Sequence, residues 1–258
     1  MKKKCERSRE ILLKGRKVCK TFGKGEYENK VLHEVDVDIF QGDFTVIMGS
    51  SGAGKSTLLY VLSGMDSLTE GSVVYKNQEI DKLKEEGKAK LRAEEFGFVF
   101  QQAYLVSNLT LFENVVVAGL VSGRKGDVNS RAEELFIQMH MEEAKDRLPA
   151  QVSGGEALRA AVARAVIGKP EILFADEPTG ALNKSNTEEV LNLLTARNEH
   201  GQSILMVTHD IKGAIRANRI LYMEDGKILD ELALSPYRED RQQERTKQVS
   251  EWLSKLRW

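Results

Sequence analysis

One short segment restricts how this chain folds more than any other: a glycine-rich loop set between an apolar run and a helix-forming run. Phe44-Thr45-Val46-Ile47-Met48 is short, rich in β-formers and bounded by polar residues, as a buried strand is. Gly49-Ser50-Ser51-Gly52-Ala53-Gly54-Lys55-Ser56-Thr57 follows directly. The segment fits G-x-x-x-x-G-K-S/T at the strand-to-helix junction that this pattern requires. Glycines let the loop curl until successive backbone N–H groups point inward, and the helix that starts there adds its positive end. A nucleoside triphosphate is the ligand such a cradle suits. Lys55 is spaced to reach its β- and γ-phosphates, and the Ser56 hydroxyl to ligate Mg2+. The alternative, an accidental glycine-rich turn, is disfavoured by the strand before it and the helix after it.

A magnesium-bound triphosphate also needs a carboxylate at the end of a neighbouring buried strand. Ile172-Leu173-Phe174-Ala175-Asp176-Glu177 supplies two acids where an apolar run ends. Asp176 suits the metal, and Glu177 is then free to polarise an attacking water. A third segment, Val152-Ser153-Gly154-Gly155-Glu156 followed by Ala157-Leu158-Arg159, reads as a capped helix start with open backbone, a further receptor for anions. Read without its neighbours, capping alone accounts for Ser153 and the two glycines.

Short apolar runs alternate with helical patterns along the chain. Phe98–Phe100, Ile172–Ala175 and Ile204–Val207 join Phe44–Met48 as strands. Ser56–Met65, Ser130–His140, Glu156–Ile167 and Thr187–Asn198 have helical character. This alternation predicts an α/β fold with a mostly parallel sheet. Arg219–Met223 and Lys227–Asp230 flank Glu224-Asp225-Gly226 as a hairpin, and the stretch 102–152 is helical without a clear strand. Basic and acidic residues number 38 and 39, so the net charge of −1 offers no general field for nucleic acid. Cys5 and Cys19 are too few for a disulfide framework and are expected to be reduced thiols. The N-terminal lysines resemble the start of a signal peptide, but the apolar run after them, Ile11-Leu12-Leu13, is too short for one. No run is long enough to span a membrane.

Taken in order, GSSGAGKST, VFQQ, VSGGEALRAAVARA, ILFADEP and VTHD make the chain resemble the nucleotide-binding subunit of ABC transporters over roughly residues 15–232. The resemblance implies a P-loop NTPase (RecA-like) core with an antiparallel β subdomain, at about 14–101 and 160–232. It also implies an inserted helical subdomain at about 102–159, the cassette running over 1–232 with a helical extension at 233–258. It implies ATP and Mg2+ as ligands, a head-to-tail homodimer and a transmembrane permease as partners, and a place on the cytoplasmic face of the membrane. In such a dimer Ser153, Gly154, Gly155 and Glu156 of one subunit would close over the γ-phosphate held by Lys55 of the other. Gln101 matches the family glutamine near Mg2+ and the attacking water. His209 matches the switch histidine, and Phe22 the aromatic that stacks on adenine. The permease helix is expected beside Gln101, around Ala103–Glu113.

Three departures stand out: Val152 opens the third motif, Ala157-Leu158 replace a polar pair, and Asn183 stands where the family loop has Asp. Local patterns, among them Phe22-Gly23-Lys24-Gly25-Glu26 and Leu109–Val115, resemble the cassettes of macrolide-exporter, lipoprotein-release and bacitracin- or lantibiotic-resistance systems, which shade into importers and a cell-division ATPase. ABC ATPases of DNA repair carry long coiled-coil or zinc-bearing insertions between Lys55 and Ser153 that this chain lacks. In the tail, Val249, Trp252, Leu253 and Leu256 fall at helical spacing beside Arg245, Lys247, Lys255 and Arg257. Packing on the chain's own domain or on a dimer partner is preferred there over a membrane-surface helix.

Overall fold

The computed structural model describes residues 10–123, 126–256 and 258; Cys5, the N-terminal lysines and Arg257 lie outside them. Two long antiparallel strands, β1 (Ile11–Phe22) and β2 (Asn29–Phe40), come first, before the buried strand β3 (Phe44–Met48) and helix α1 (Lys55–Leu62). Strands β4 (Glu70–Tyr75) and β5 (Gln78–Glu79) return to the first pair, and α2 (Glu85–Glu94) leads into β6 (Phe96–Phe100). Helices α3 (Leu111–Val121), α4 (Val128–Gln138) and α5 (Gly154–Val166) follow, with no strand among the described residues between them. The chain continues through β7 (Ile172–Asp176), α6 (Lys184–Glu199), β8 (Ser203–Val207) and the short α7 (Ile211–Ala214). A hairpin, β9 (Arg219–Glu224) and β10 (Lys227–Ala233), and a last helix, α8 (Gln242–Lys255), complete it.

The described residues build a six-stranded sheet in the order β10-β9-β3-β8-β7-β6 and a four-stranded sheet in the order β2-β1-β4-β5. All pairings from β9 to β6 are parallel; β10 and the smaller sheet are antiparallel. The central strands are mostly apolar because both their faces are covered, Thr45 of β3 and Ser203 of β8 being buried exceptions. Phe44, Val46 and Met48 of β3 share one core with Ile204 and Met206 of β8 and with helices α3 to α6, while Ile47, Leu205 and Val207 turn to the other, against α1 and the smaller sheet. The α/β expectation is met, and the apolar runs read as strands are strands.

Differences from the sequence reading lie at element ends and on half-exposed elements. The first helix stops at Leu62 rather than Met65, since Ser63 caps it and Gly64 turns with φ +66°. Helix α6 starts three residues earlier than Thr187 because the Asn183 side chain accepts the Asn186 N–H at 2.9 Å. Asn serves as well as Asp at such a cap, so this departure keeps its local job. Leu158 is buried in the larger core, which gives that departure a packing role of its own.

The tail packs on its own domain, the preferred expectation: Val249 and Leu253 are buried in the larger core, with Trp252 and Leu256 against it. Arg245, one of the basic residues beside that apolar stripe, is itself buried. Its guanidinium donates to the carbonyls of Ile215 at 2.7 Å and Ser235 at 2.6 Å, and to that of Ala217. A buried cation with three such bonds is costly to remove, because the carbonyls lose their donors in a dry place. Arg245→Ala is therefore expected to lower unfolding free energy by about 3 kcal/mol, measured by urea denaturation, whereas Lys247→Ala, at an exposed site, should leave it nearly unchanged.

Candidate active site

Strands β3, β8 and β7 lie side by side and parallel, so the loops leaving their carboxyl ends meet at one edge of the sheet. After β3, the backbone must pass close under the neighbouring strand: a β-carbon at Gly49 would sit 1.9 Å from the Met223 carbonyl oxygen. Gly54 enters helix α1 with φ +93°, a left-handed conformation that favours glycine. Lys55, the first residue of the helix, is buried, and its Nζ donates to the carbonyls of Gly49 at 2.9 Å and Ser50 at 2.8 Å. Burial lowers its pKa, and the nearby charges of Glu177 and Asp176 work the other way.

Next on the helix, Ser56 Oγ donates to Asp176 Oδ1 at 2.7 Å, and about one turn further Tyr60 OH donates to Asp176 Oδ2 at 2.5 Å. Burial and then the Asp176 carboxylate push the Tyr60 phenol up, so it remains a proton donor at neutral pH. Glu177 follows with φ +47°, its N–H on the Val207 carbonyl at 2.9 Å. A non-glycine residue in this region stores strain of order 1–3 kcal/mol, of the kind that clusters at functional sites. Its carboxylate lies 2.9–3.1 Å from His209 Nδ1, which β8 delivers.

Lys55, Ser56, Glu177 and His209 border one cavity of about 790 Å3, and Asp176 and Tyr60 stand behind Ser56 without lining it. Gly49, Ser50, Ser51, Gly52, Gly54, Lys55, Ser56 and Thr57 line it together with Glu177 and His209. A second cavity of about 520 Å3 shares Glu177, His209 and Trp258 with the first and continues past Gly180 to Lys212.

Several residues named from the sequence stand elsewhere. Ala53 is buried; its N–H is committed to the Ser50 carbonyl at 3.2 Å, and its own carbonyl accepts from Gly226, so it shapes the loop. Phe22 does not line the cavity; its β1 position pairs with Asn29, which does, and Lys20 Nζ covers one face of its ring at 4.8 Å. The Gln101 amide lies against Gly180, and Gln101 does not line the cavity. Ser153 and Glu156 cap helix α5 reciprocally: the Ser153 hydroxyl accepts the Glu156 N–H, and the Glu156 carboxylate accepts from the Ser153 N–H at 2.8 Å and hydroxyl at 2.7 Å. None of residues 153–156 lines the cavity. A side chain at Gly155 would meet the Asn186 amide at 2.5 Å, whereas nothing lies within 4 Å of one at Gly154.

Asn29, Val31, Tyr60 and Trp258 are neighbours of the site that escaped the sequence reading. Tyr60 had a signal, its position four residues after Ser56 on one helix face. Trp258 had none, because only the folded course of the tail brings it to the cavity.

Residues 32–180 match the protein family described as ABC transporter. An uncharacterized ABC transporter ATP-binding protein of Escherichia coli (strain K12), YbbA, is 41% identical over 214 residues, 82% of this chain and 94% of that protein. Among solved structures, the dimeric post-hydrolysis state of the ATP-binding cassette MJ0796, bound to ADP and Pi, is 36% identical with a TM-score of 0.80, covering 87% of this chain and all of that one. The Clostridium perfringens protein cbiO1, part of the ABC transporter complex cbiONQ, is 26% identical with a TM-score of 0.75, covering 86% and 88%.

The sequence holds two tryptophans, and Trp252 sits away from the cavity, its indole N–H on Asp230 at 2.8 Å. In a Trp252→Phe protein, Trp258 emission is expected to change saturably as ADP is added. Emission indifferent to saturating ADP would take Trp258 away from the nucleotide.

Proposed function

Because the chain belongs to the ABC transporter family of ATP-binding proteins, we propose that it hydrolyses ATP to power a separate membrane permease. The observation that carries this reading is the convergence on one cavity of Lys55, Ser56 and the Glu177–His209 pair, with Asp176 joined to Ser56 behind them. The amides of residues 49–54 other than that of Ala53, and the Lys55 ammonium, bind the phosphates. Lys55 exchanges its two loop carbonyls for phosphate oxygens, which compensates its burial. Ser56 Oγ, which lines the cavity, and Asp176 Oδ1, 2.7 Å from it, are hard oxygen atoms side by side, a donor set that fits Mg2+. When bound, Mg2+ supplies neutralisation of charge that develops on the phosphates. Glu177 accepts the proton of the attacking water, and His209 holds its carboxylate in place.

Phe22 stacks on adenine, with Lys20 covering the ring's other face. Gln101, beside Gly180, reports the state of the site to the helical part of the chain, the subdomain at about 102–159. Residues 153–156 act on a second copy's nucleotide. In support, neither packing nor a positive φ asks for glycine at Gly154, so the open space there suits an incoming phosphate. The dimeric cassette of similar sequence supports the same pairing.

An apolar groove of about 460 Å3, lined by Phe98, Phe100, Tyr104, Val106, Leu109 and Val121 among others, supports docking of a permease helix beside Gln101. Tyr104 and Val121 are each 64% exposed there, a patch that asks for a partner. Among the described residues no helix is long and apolar enough to cross a membrane, so the permease supplies the spans and holds the chain at the cytoplasmic face. The motifs around Phe22 and Leu109 favour export or mechanical transmission of the macrolide, lipoprotein or peptide-resistance type.

Glu177→Gln is expected to slow ATP hydrolysis about 10²–10⁴-fold, the range for a lost general base. It should also retain ATP and accumulate a dimer by size-exclusion chromatography with light scattering. Equal turnover in the two proteins would remove Glu177 from catalysis.

A further inference from the structure

The Asp176 carboxylate is held at both oxygens, and only one of the two donors belongs to the phosphate-loop pattern. Ser56 takes Oδ1 at 2.7 Å; the phenol of Tyr60 takes Oδ2 at 2.5 Å. Both donors stand on helix α1 four residues apart, hence on one face. A hydroxyl donating to a carboxylate at that length is charge-assisted, roughly twice as strong as a neutral bond. The terminal torsion of an aspartate is broad when nothing holds it, so a donor on the far oxygen fixes the direction of the near one. The Tyr60 ring is itself restrained: Phe100 lies 6.5 Å away at 51°, and Phe100 in turn packs against Tyr104 at 5.5 Å and 80°.

We propose that Tyr60 is a positioning residue: its phenol holds Oδ2 of Asp176 so that Oδ1 stays beside Ser56, the pair of oxygens that receives a divalent cation. The inference rests on the ATP-site reading and deepens it. Residues that orient a metal ligand are typically worth 10–100-fold in metal affinity.

The test separates metal from nucleotide. ADP affinity is measured in excess chelator, and Mn2+ affinity is measured on the ADP-loaded protein by electron paramagnetic resonance, for wild type and Tyr60→Phe, which keeps the ring. The variant should bind ADP without metal as wild type does, and Mn2+ about tenfold more weakly. Unchanged Mn2+ affinity, or an equal loss of metal-free ADP affinity, overturns the inference. Wild-type protein that binds no ADP removes the ATP-site reading as well, so the two failures are distinct. A second measurement needs no loss of the hydroxyl: 3-fluorotyrosine placed at residue 60 should show its fluorine resonance shifting when Mg2+ is added to the ADP-bound protein. A resonance that stays in place overturns the inference equally.

Discussion

The bond from Ser56 to Asp176 joins segments more than a hundred residues apart in the chain, and the rest of the site is arranged around it. It is possible because β8 lies between β3 and β7 with all three parallel, so that their carboxyl ends open on one edge. Ligand sites of open α/β sheets form at that edge for this reason. The phosphate loop, the histidine and the two acids each leave a different strand, yet none needs a long side chain to reach the others. The precision comes from the buried faces of the strands. Leu205 and Val207 on one side of β8, and Ile204 and Met206 on the other, leave the strand no freedom to slip, since a one-residue shift would exchange its two cores.

Much of this edge was legible in the sequence because a strand buried on both faces leaves a continuous apolar run, and the polar residue that ends it marks the site. Ile172–Ala175 and Ile204–Val207 have that form, while Phe44–Met48 is interrupted by Thr45 and ends at the glycine of the loop. Strands β1 and β2 do not: their residues alternate between core and solvent, and several register shifts interrupt the alternation. Their antiparallel sheet was anticipated from resemblance and not from pattern. Arg245 was illegible for another reason: its charge says nothing of its burial, and only the fold reveals three carbonyls of neighbouring segments that a guanidinium's fixed fork of donors satisfies.

The glycine-rich elements separate in a similar way. Gly49 and Gly54 are explained within this chain, one by a carbonyl too near for a β-carbon and the other by its positive φ. Gly155 is explained by the Asn186 amide packed on it. Capping likewise explains Ser153 and Glu156, as helix starts do in chains of every function. Gly154 alone among these has no neighbour and no positive φ to require it.

A capped helix start and an anion receptor are not competing descriptions. The reciprocal cap fixes the first turn of α5 and commits the Ser153 hydroxyl and the Glu156 N–H to each other, but it leaves the amides of Gly154 and Gly155 outside that pairing. Those early N–H groups are the ones a helix cannot satisfy internally. The cap therefore aims the first turn without consuming the donors that an anion would use. Its own carboxylate is held well below the usual range, by the Ser153 N–H first and the hydroxyl second. Stability gained from that bond is present above the ordinary carboxylate pKa and lost as pH falls through the lowered one. Across neutral pH the turn is consequently fixed, and on the proposed reading a phosphate from a second copy would meet amides already in position, with little ordering left to cost affinity.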